Sequence, residues 1–327
     1  MSVRELQEGA AVECVLVVRE AELRAQRDGG RFLRLVLGDR TGSLPANVWD
    51  DVAAVAQIAT LGAVVRVSGR LQGGVRHGAE LVLRAICAAE PDSFDLADLV
   101  DGPPRSAEQM EHDLRELLAT IQNRDLRRLL GAVFGAESPL WTRYRSAPAA
   151  KRFHQAYRHG LLEHSLSVAQ AVSAISATFA EVHRDIAVTG ALLHDIGKLE
   201  AYAFAGSAIE MTDAGKLQGE IPLGYYRVRR LIDGIEGFDP STAEAVLHII
   251  LSHHGSLEHG SPIVPCTREA TLVHFCDNLG GRLGSFDRLE KELPRGERWS
   301  RFDRAIGGGA YFARPAVAGQ DEEREAA

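Results

Sequence analysis

The chain changes its hydrophobic period once. Over the first ninety residues, apolar and polar positions alternate in short runs broken by turn residues. Val12 to Val18, Phe32 to Leu37, Leu44 to Trp49, Val64 to Leu71 and Glu80 to Ile86 each read as a strand, with turns at Asp28-Gly-Gly30, Asp39-Arg-Thr-Gly42 and Gln72-Gly-Gly74. One helical insertion, Val52 to Leu61, interrupts them. Five short strands of this kind predict a small all-β Greek-key barrel. From Ser106 the period lengthens. Met110, Leu114, Leu117, Leu118 and Ile121, then Leu126, Leu129, Leu130, Val133 and Phe134, recur at helical spacing and predict the core of an all-α second domain. Between them, Pro91 to Arg105 carries three prolines, several acids and no long apolar run. The expected organisation is therefore a barrel over 1–90, a linker over 91–105, a helical domain over 106–317 and a disordered acidic tail over 318–327.

Period-two alternation also assigns faces. Leu33, Leu35, Leu37, Val65 and Val67 point inward, which leaves Phe32 and Arg34 outside, beside Asn47 and Trp49, and Arg66 and Arg70 outside on the fourth strand. Aromatic rings with arginines on one barrel face suit a single nucleic-acid strand, held by stacking and phosphate contacts. A solvated outer face fits the same residues, and acids roughly balance arginines here, so this surface is expected to help rather than anchor. A second stretch is more basic. From Arg143 to Arg158 the cations Arg143, Arg145, Lys151, Arg152 and Arg158 occur without an acid and with Tyr144, Phe153 and Tyr157 interleaved, a pattern suited to phosphate attraction and base stacking. A bare charge run also fits a solvated face, and entry directly into a histidine cluster favours the substrate-facing role.

Composition narrows the class. The 327 residues are 45% hydrophobic and 25% charged, enough for two packed cores in a soluble protein. No apolar run approaches the ~20 residues of a membrane helix, so no membrane partner is expected. The N-terminal segment is too charged for a signal peptide. Cys14, Cys87, Cys266 and Cys276 lack paired metal spacing and read as reduced, buried thiols of a cytoplasmic protein. A net charge of −8 argues against coating duplex DNA, while leaving room for a local single-strand groove. A homo-oligomer is compatible with all of this.

The chemistry is concentrated in the helical half, where ten of the twelve histidines fall between His154 and His274. Its centre is Gly190-Ala-Leu-Leu-His-Asp-Ile-Gly-Lys198, in which a small-residue helix ends on His194 and Asp195. A buried His–Asp hydrogen bond would account for such a pair in isolation. Further stations surround it: His164 on an apolar helix, His253 and His254 at the end of another, and Asp277 in a third, where a free carboxylate would be expensive. Ser241 and Glu244 read as the capping box of the helix that leads to His253. Helices that each end on or bury a potential ligand are best explained by convergence on a divalent cation. Lys198 is placed either to meet a phosphate oxygen or to sit as a cation at a helix end. His154 and His159 either touch substrate and protonate its leaving oxygen or hydrogen-bond to the ligands.

The order and contexts of these residues resemble the HD-domain phosphohydrolases. The match is closer to one branch, the YhaM-type 3′-5′ exoribonucleases, built as an OB-fold followed by an HD domain. The stretches that carry the likeness are Phe153-His-Gln-Ala-Tyr-Arg-His-Gly-Leu-Leu-Glu-His164, Leu193-His-Asp-Ile-Gly-Lys198, His248-Ile-Ile-Leu-Ser-His-His-Gly255 and His274-Phe-Cys-Asp-Asn278. The turn Leu37 to Leu44, leading to Trp49, likewise resembles the strand-two-to-three hairpin of anticodon-type OB-folds. The resemblance implies that His164, His194, Asp195 and Asp277 hold a first metal, and that His253 or His254 helps hold a second. Manganese is the expected cation, with magnesium, iron(II) or cobalt as alternatives, one or two ions per chain. Two positions depart from the family. Glu220 stands where Gly219 is usually followed by His, and Gly280 stands where another Asp is usual. A glutamate ligates Mg²⁺ or Mn²⁺, so a two-metal site survives with altered preference. The implied activity is metal-assisted hydrolysis of single-stranded nucleic acid, RNA by resemblance, from the 3′ end. Two other readings fit the same residues: an HD phosphohydrolase of a cyclic nucleotide or nucleoside triphosphate, and a nucleic-acid-binding protein with weakened catalysis.

Overall fold

The computed structural model describes residues 2–25, 29–74, 78–99, 102–151, 155–205, 208–293 and 297–313. It divides into two compact units, Met1–Gly281 and Arg282–Ala327. The first begins with strands β1 (Ala11–Ala25), β2 (Arg31–Asp39) and β3 (Gly42–Val48), helix α1 (Val52–Ile58), and strands β4 (Val64–Gly74) and β5 (Gly78–Ala88). They close into a barrel in the order β1-β2-β3-β5-β4, antiparallel throughout except for the parallel β3–β5 contact. The inward set predicted by alternation is the observed one: Leu33, Leu35, Leu37, Val65 and Val67 are buried together with Leu16, Ala46 and Leu81. β1 runs seven residues past its predicted end at Val18. A bulge between Val18 and Glu20 lets it keep pairing with β2 as an exposed ribbon, so backbone pairing rather than burial sustains that extension. Asp39 organises the β2–β3 turn, its carboxylate accepting from Thr41 N, Thr41 Oγ1 and Gly42 N.

The expected linker carries structure. Helix α2 (Leu96–Leu99) touches β1 and β2, and its Asp98 carbonyl accepts from Arg40 N at 3.1 Å. Beyond it come α3 (Ala107–Ala119), α4 (Arg124–Phe134), α5 (Pro139–Ser146), α6 (Gly160–Ser176), α7 (Arg184–Leu193) and α8 (Lys198–Ala201). A two-stranded hairpin, β6 (Tyr202–Ala205) with β7 (Ala208–Met211), precedes α9 (Asp213–Gln218), α10 (Glu220–Asp233), α11 (Pro240–Ser252) and α12 (Arg268–Glu292). Apart from this hairpin the regular elements from α3 to α12 are helical, as the period predicts. Met110, Leu114, Leu126, Leu129 and Val133 share one core with α6, α7 and α11.

Side-chain caps start the helices: Ser106 for α3, Asn123 for α4 and Ser138 for α5. The cap of α11 corrects an expectation. Asp239 occupies the N-cap and accepts from Thr242 N, with Pro240 in the first turn, and Ser241 donates its hydroxyl to Asp239 instead of capping with Glu244. Two glycines set how closely the helices meet. A Cβ on Gly190 would lie 2.4 Å from Ile249 Cδ1, so α7 and α11 pack in contact there. A Cβ on Gly197 would lie 2.0 Å from the Glu220 carbonyl, so α10 can begin directly against the turn after Asp195.

The second unit holds the end of α12 and residues 297–313. Residues 297–313, expected to belong to the helical domain, form a narrow ribbon instead, with bridges Trp299 to Tyr311 and Asp303 to Gly308. The acidic tail 318–327 lies outside the described residues. All four cysteines are free, but Cys87 and Cys266 are exposed where burial was expected. Among the described residues no helix is long and apolar enough to cross a membrane.

Candidate metal centre and nucleic-acid faces

Helices α6, α7, α11 and α12 deliver their polar residues to one place. His164 is buried on α6, His194 closes α7 with Asp195 after it, His253 closes α11, and Asp277 lies on α12. His164 Nε2 lies 3.1 Å from His194 Nε2, 3.2 Å from Asp195 Oδ2 and 3.1 Å from Asp277 Oδ1. His194 Nε2 lies 3.3 Å from Asp195 Oδ2 and 3.8 Å from Asp277 Oδ1. Ligands bound at ~2.1 Å around one cation are about 3.0–3.4 Å apart, so these separations fit a coordination shell. Glu220, His253 and His254 form an adjoining group. His254 Nε2 is 3.4 Å from Glu220 Oε1, and His253 Nε2 is 3.6 Å from Asp195 Oδ1.

Three histidines are oriented the same way. The Nδ1 atoms of His194, His253 and His254 donate to the carbonyls of Ala191, Ile250 and His259, which leaves each Nε2 directed at the cluster. Two atoms then have no hydrogen-bond partner among the described residues despite full burial: Asp195 Oδ1 and His253 Nε2. Leaving such groups unsatisfied costs about 1–3 kcal/mol each, more when charged. A cation between them removes that cost, and the oxygen and imidazole donors suit a hard or borderline divalent ion. The residues present fit a metal.

The electrostatics agree. Burial pushes the Asp195 carboxyl up, but Lys198 and the neighbouring histidines override it and hold the group well below the usual carboxylate range. Asp277 is likewise lowered, chiefly by His164 against its burial. Without a cation, hydrogen bonds to Asp195 and Asp277 outweigh the burial of His164 and raise it to about 9. Burial lowers His253, keeping it neutral as a ligand must be. Glu220 is lowered because His254 and Lys198 outweigh its burial.

Other predicted residues are placed differently. Lys198 opens α8 rather than ending a helix, and its Nζ bonds Asp195 Oδ2 at 2.6 Å, so its charge is committed to that carboxylate. His159 caps α6 with positive φ, and its Nδ1 donates to the Arg145 carbonyl, outside the cluster of ligand atoms. His154 and Arg152 lie outside the described residues. His248 accepts from Cys266 N and supports that loop. His274 was missed by the sequence reading: its Nδ1 donates to the His253 carbonyl at 2.8 Å and braces the ligand's backbone. Its position three residues before Asp277, on the same helix face, was the available signal.

The basic stretch 143–158 divides into bonded and open side chains. Arg143 bonds the Leu199 carbonyl and Glu200, and Arg145 bonds Glu108 and Glu111 of α3. Tyr144 is fully buried and donates to the Leu192 carbonyl, and Tyr157 donates to Glu163. Arg143, Arg145, Tyr144 and Tyr157 therefore bond within the domain, and the acids that pair with the two arginines come from distant segments. Lys151 and Arg158 remain exposed. On the barrel, by contrast, Phe32 and Trp49 stack with centroids 4.6 Å apart while Trp49 is 55% exposed. Arg34 is partly exposed and Arg66 exposed, and Asn47 bonds Glu80.

Comparison with known families fits this architecture. Residues 15–86 match the model of the OB-fold nucleic acid binding domain, and residues 161–281 match that of the HD domain, a span that contains all seven clustered ligand candidates. The chain is thus an OB-fold joined to an HD domain, the build of a metal-dependent phosphohydrolase. Over 290 residues it is 28% identical to the 3′-5′ exoribonuclease YhaM of Geobacillus sp. (strain WCH70), covering 88% of each chain. It is 29% identical to the YhaM of Listeria welshimeri, covering 88% of this chain and 91% of that one. The family resemblance read from the motifs is borne out.

Proposed function

We propose that this protein is a 3′-5′ exoribonuclease that shortens single strands to mononucleotides. His164, His194, Asp195 and Asp277 hold a first divalent cation, and Glu220, His253 and His254, with the free oxygen of Asp195, hold a second. A bound divalent cation supplies a nucleophilic water near neutral pH and stabilises charge growing on the phosphoryl oxygens. Lys198 keeps Asp195 ionised and oriented, and the Nδ1 anchors fix each imidazole tautomer. Phe32 and Trp49, with Arg34 and Arg66, guide the strand by stacking and phosphate contact. Manganese is the expected ion and the cytoplasm the expected compartment.

The observation that carries this reading is the pair of unpartnered buried atoms, Asp195 Oδ1 and His253 Nε2, facing each other inside a shell of donors from separate helices. A 5′-labelled RNA incubated with manganese should shorten stepwise from its 3′ end and release mononucleotides. Asp195→Ala should slow this by about 10³-fold or more, since a Lewis acid contributes several kcal/mol. Intact RNA beside hydrolysed cyclic nucleotides or nucleoside triphosphates would replace this reading with a small-nucleotide phosphohydrolase. Binding without turnover would leave a nucleic-acid-binding protein.

A further inference from the structure

Neither matched domain reaches the ribbon at residues 297–313. Its backbone is paired, not loose: Ser300 N donates to the Ala310 carbonyl, Asp303 N to that of Gly308, and Phe312 N to that of Arg298. Arg288 on α12 bonds Asp303 at 2.6 Å, and Phe286 meets Phe312 edge-on at 6.3 Å, so the ribbon is fastened to the helix within its own unit. Yet its largest rings face water. Trp299 is 61% exposed, Phe302 72% and Tyr311 46%. Trp299 and Tyr311 lie side by side across the ribbon, centroids 5.1 Å apart, with the Arg298 guanidinium 5.9 Å from the Tyr311 ring.

Charge decides what such a surface accepts. Arg298, Arg301 and Arg304 are all exposed, against Glu297 and Asp303, and Arg288 already neutralises Asp303. The ribbon is therefore locally cationic in a chain of net charge −8. A second copy docking on the same face would set these arginines against their equivalents, an arrangement of like charges that costs energy. Exposed rings interleaved with guanidinium groups complement a flexible polyanion with stacking bases. We propose that residues 297–312 form a binding surface for single-stranded nucleic acid, in addition to the barrel face. This inference rests on the reading of the protein as one that acts on single strands.

The test uses the full-length protein in EDTA, so that no turnover occurs, with a fluorescein-labelled 20-nucleotide oligo(U) followed by anisotropy. Trp299→Ala/Tyr311→Ala should weaken binding by about tenfold. Arg301→Glu/Arg304→Glu should also weaken it and flatten its salt dependence. Hydrolysis of bis(p-nitrophenyl) phosphate with manganese should stay at the wild-type rate in both variants, which also reports that they are folded. Unchanged oligonucleotide affinity in both would overturn the proposal. So would a fall in mass by light scattering with affinity intact, which would mark the ribbon as a contact between copies. If Phe32→Ala/Trp49→Ala weakens binding while the ribbon variants do not, this inference fails alone. If the wild-type protein binds no oligonucleotide yet hydrolyses small diesters, the inference fails together with the exoribonuclease reading.

Discussion

The buried centre and the open barrel face are built from ordinary polar and aromatic residues, but they couple those residues very differently. In the centre, His164, His194, Asp195 and Asp277 meet in a largely buried cluster, and the protonation of His164, Asp195 and Asp277 is set by the groups around them. On the barrel, Phe32 and Trp49 stack on each other, and Trp49, Arg34 and Arg66 stand partly or fully in solvent. Burial turns neighbours into a single unit because low dielectric strengthens every charge–charge interaction. The basic stretch 143–158 is a third case, in which partial burial pairs each of Arg143 and Arg145 with acids.

The largest expected effect probes that coupling. Without metal, His164 carries a proton up to about pH 9, held by Asp195 and Asp277. A cation needs the neutral imidazole, so manganese affinity should rise about tenfold per pH unit through neutrality and level off above about 9. Calorimetry in two buffers of different ionisation enthalpy should show about one proton released per first ion. A pH-independent affinity would mean that the cluster is not coupled as described.

Next in size is the barrel face. Phe32→Ala/Trp49→Ala should weaken oligonucleotide binding by about five- to tenfold, and hydrolysis of a chromogenic phosphodiester should not change. Equal losses on both substrates would make this pair structural and remove the contrast. Glu220→Gln should roughly halve the bound manganese measured by elemental analysis after dialysis, because the second group loses its only carboxylate of its own. Full occupancy in that variant would exclude Glu220 as a ligand. The smallest effect is expected at Arg145→Ala. Oligonucleotide affinity should change by less than about twofold, since Glu108 and Glu111 already neutralise the guanidinium. A larger loss would return this stretch to the substrate path.

Much of this was legible along the chain because the signals are local. Alternation gave the inward set Leu33, Leu35, Leu37, Val65 and Val67, and the same rule left Phe32 and Trp49 outside, where they stack. The motif around Asp195 pointed to its neighbours because a His-Asp pair behind three apolar residues has few local ways to be satisfied. Where the structure pairs a residue in a way its neighbours do not show, the partner is far away in sequence. The stretch around Arg145 holds no acid, and its partner Glu108 is 37 residues upstream. Tyr144 stands among interleaved aromatics, and its acceptor, the Leu192 carbonyl, is 48 residues downstream. The cap of α11 failed for a smaller reason: Asp239 and Ser241 both offer a cap, and the proline between them favours the earlier start.

By itself, the amino-acid order determined the two periods, the barrel followed by helices, and which residue types are able to bind a cation. Each of these is set by neighbours within a few positions, through side-chain direction and turn preference. Only the tertiary structure decided which charges pair with one another, and that Asp195 Oδ1 and His253 Nε2 are left facing each other without a hydrogen-bond partner among the described residues. Those outcomes depend on how closely helices approach at Gly190 and Gly197, and on partners tens of residues away. Distance and dielectric in three dimensions set them, and no local pattern encodes either.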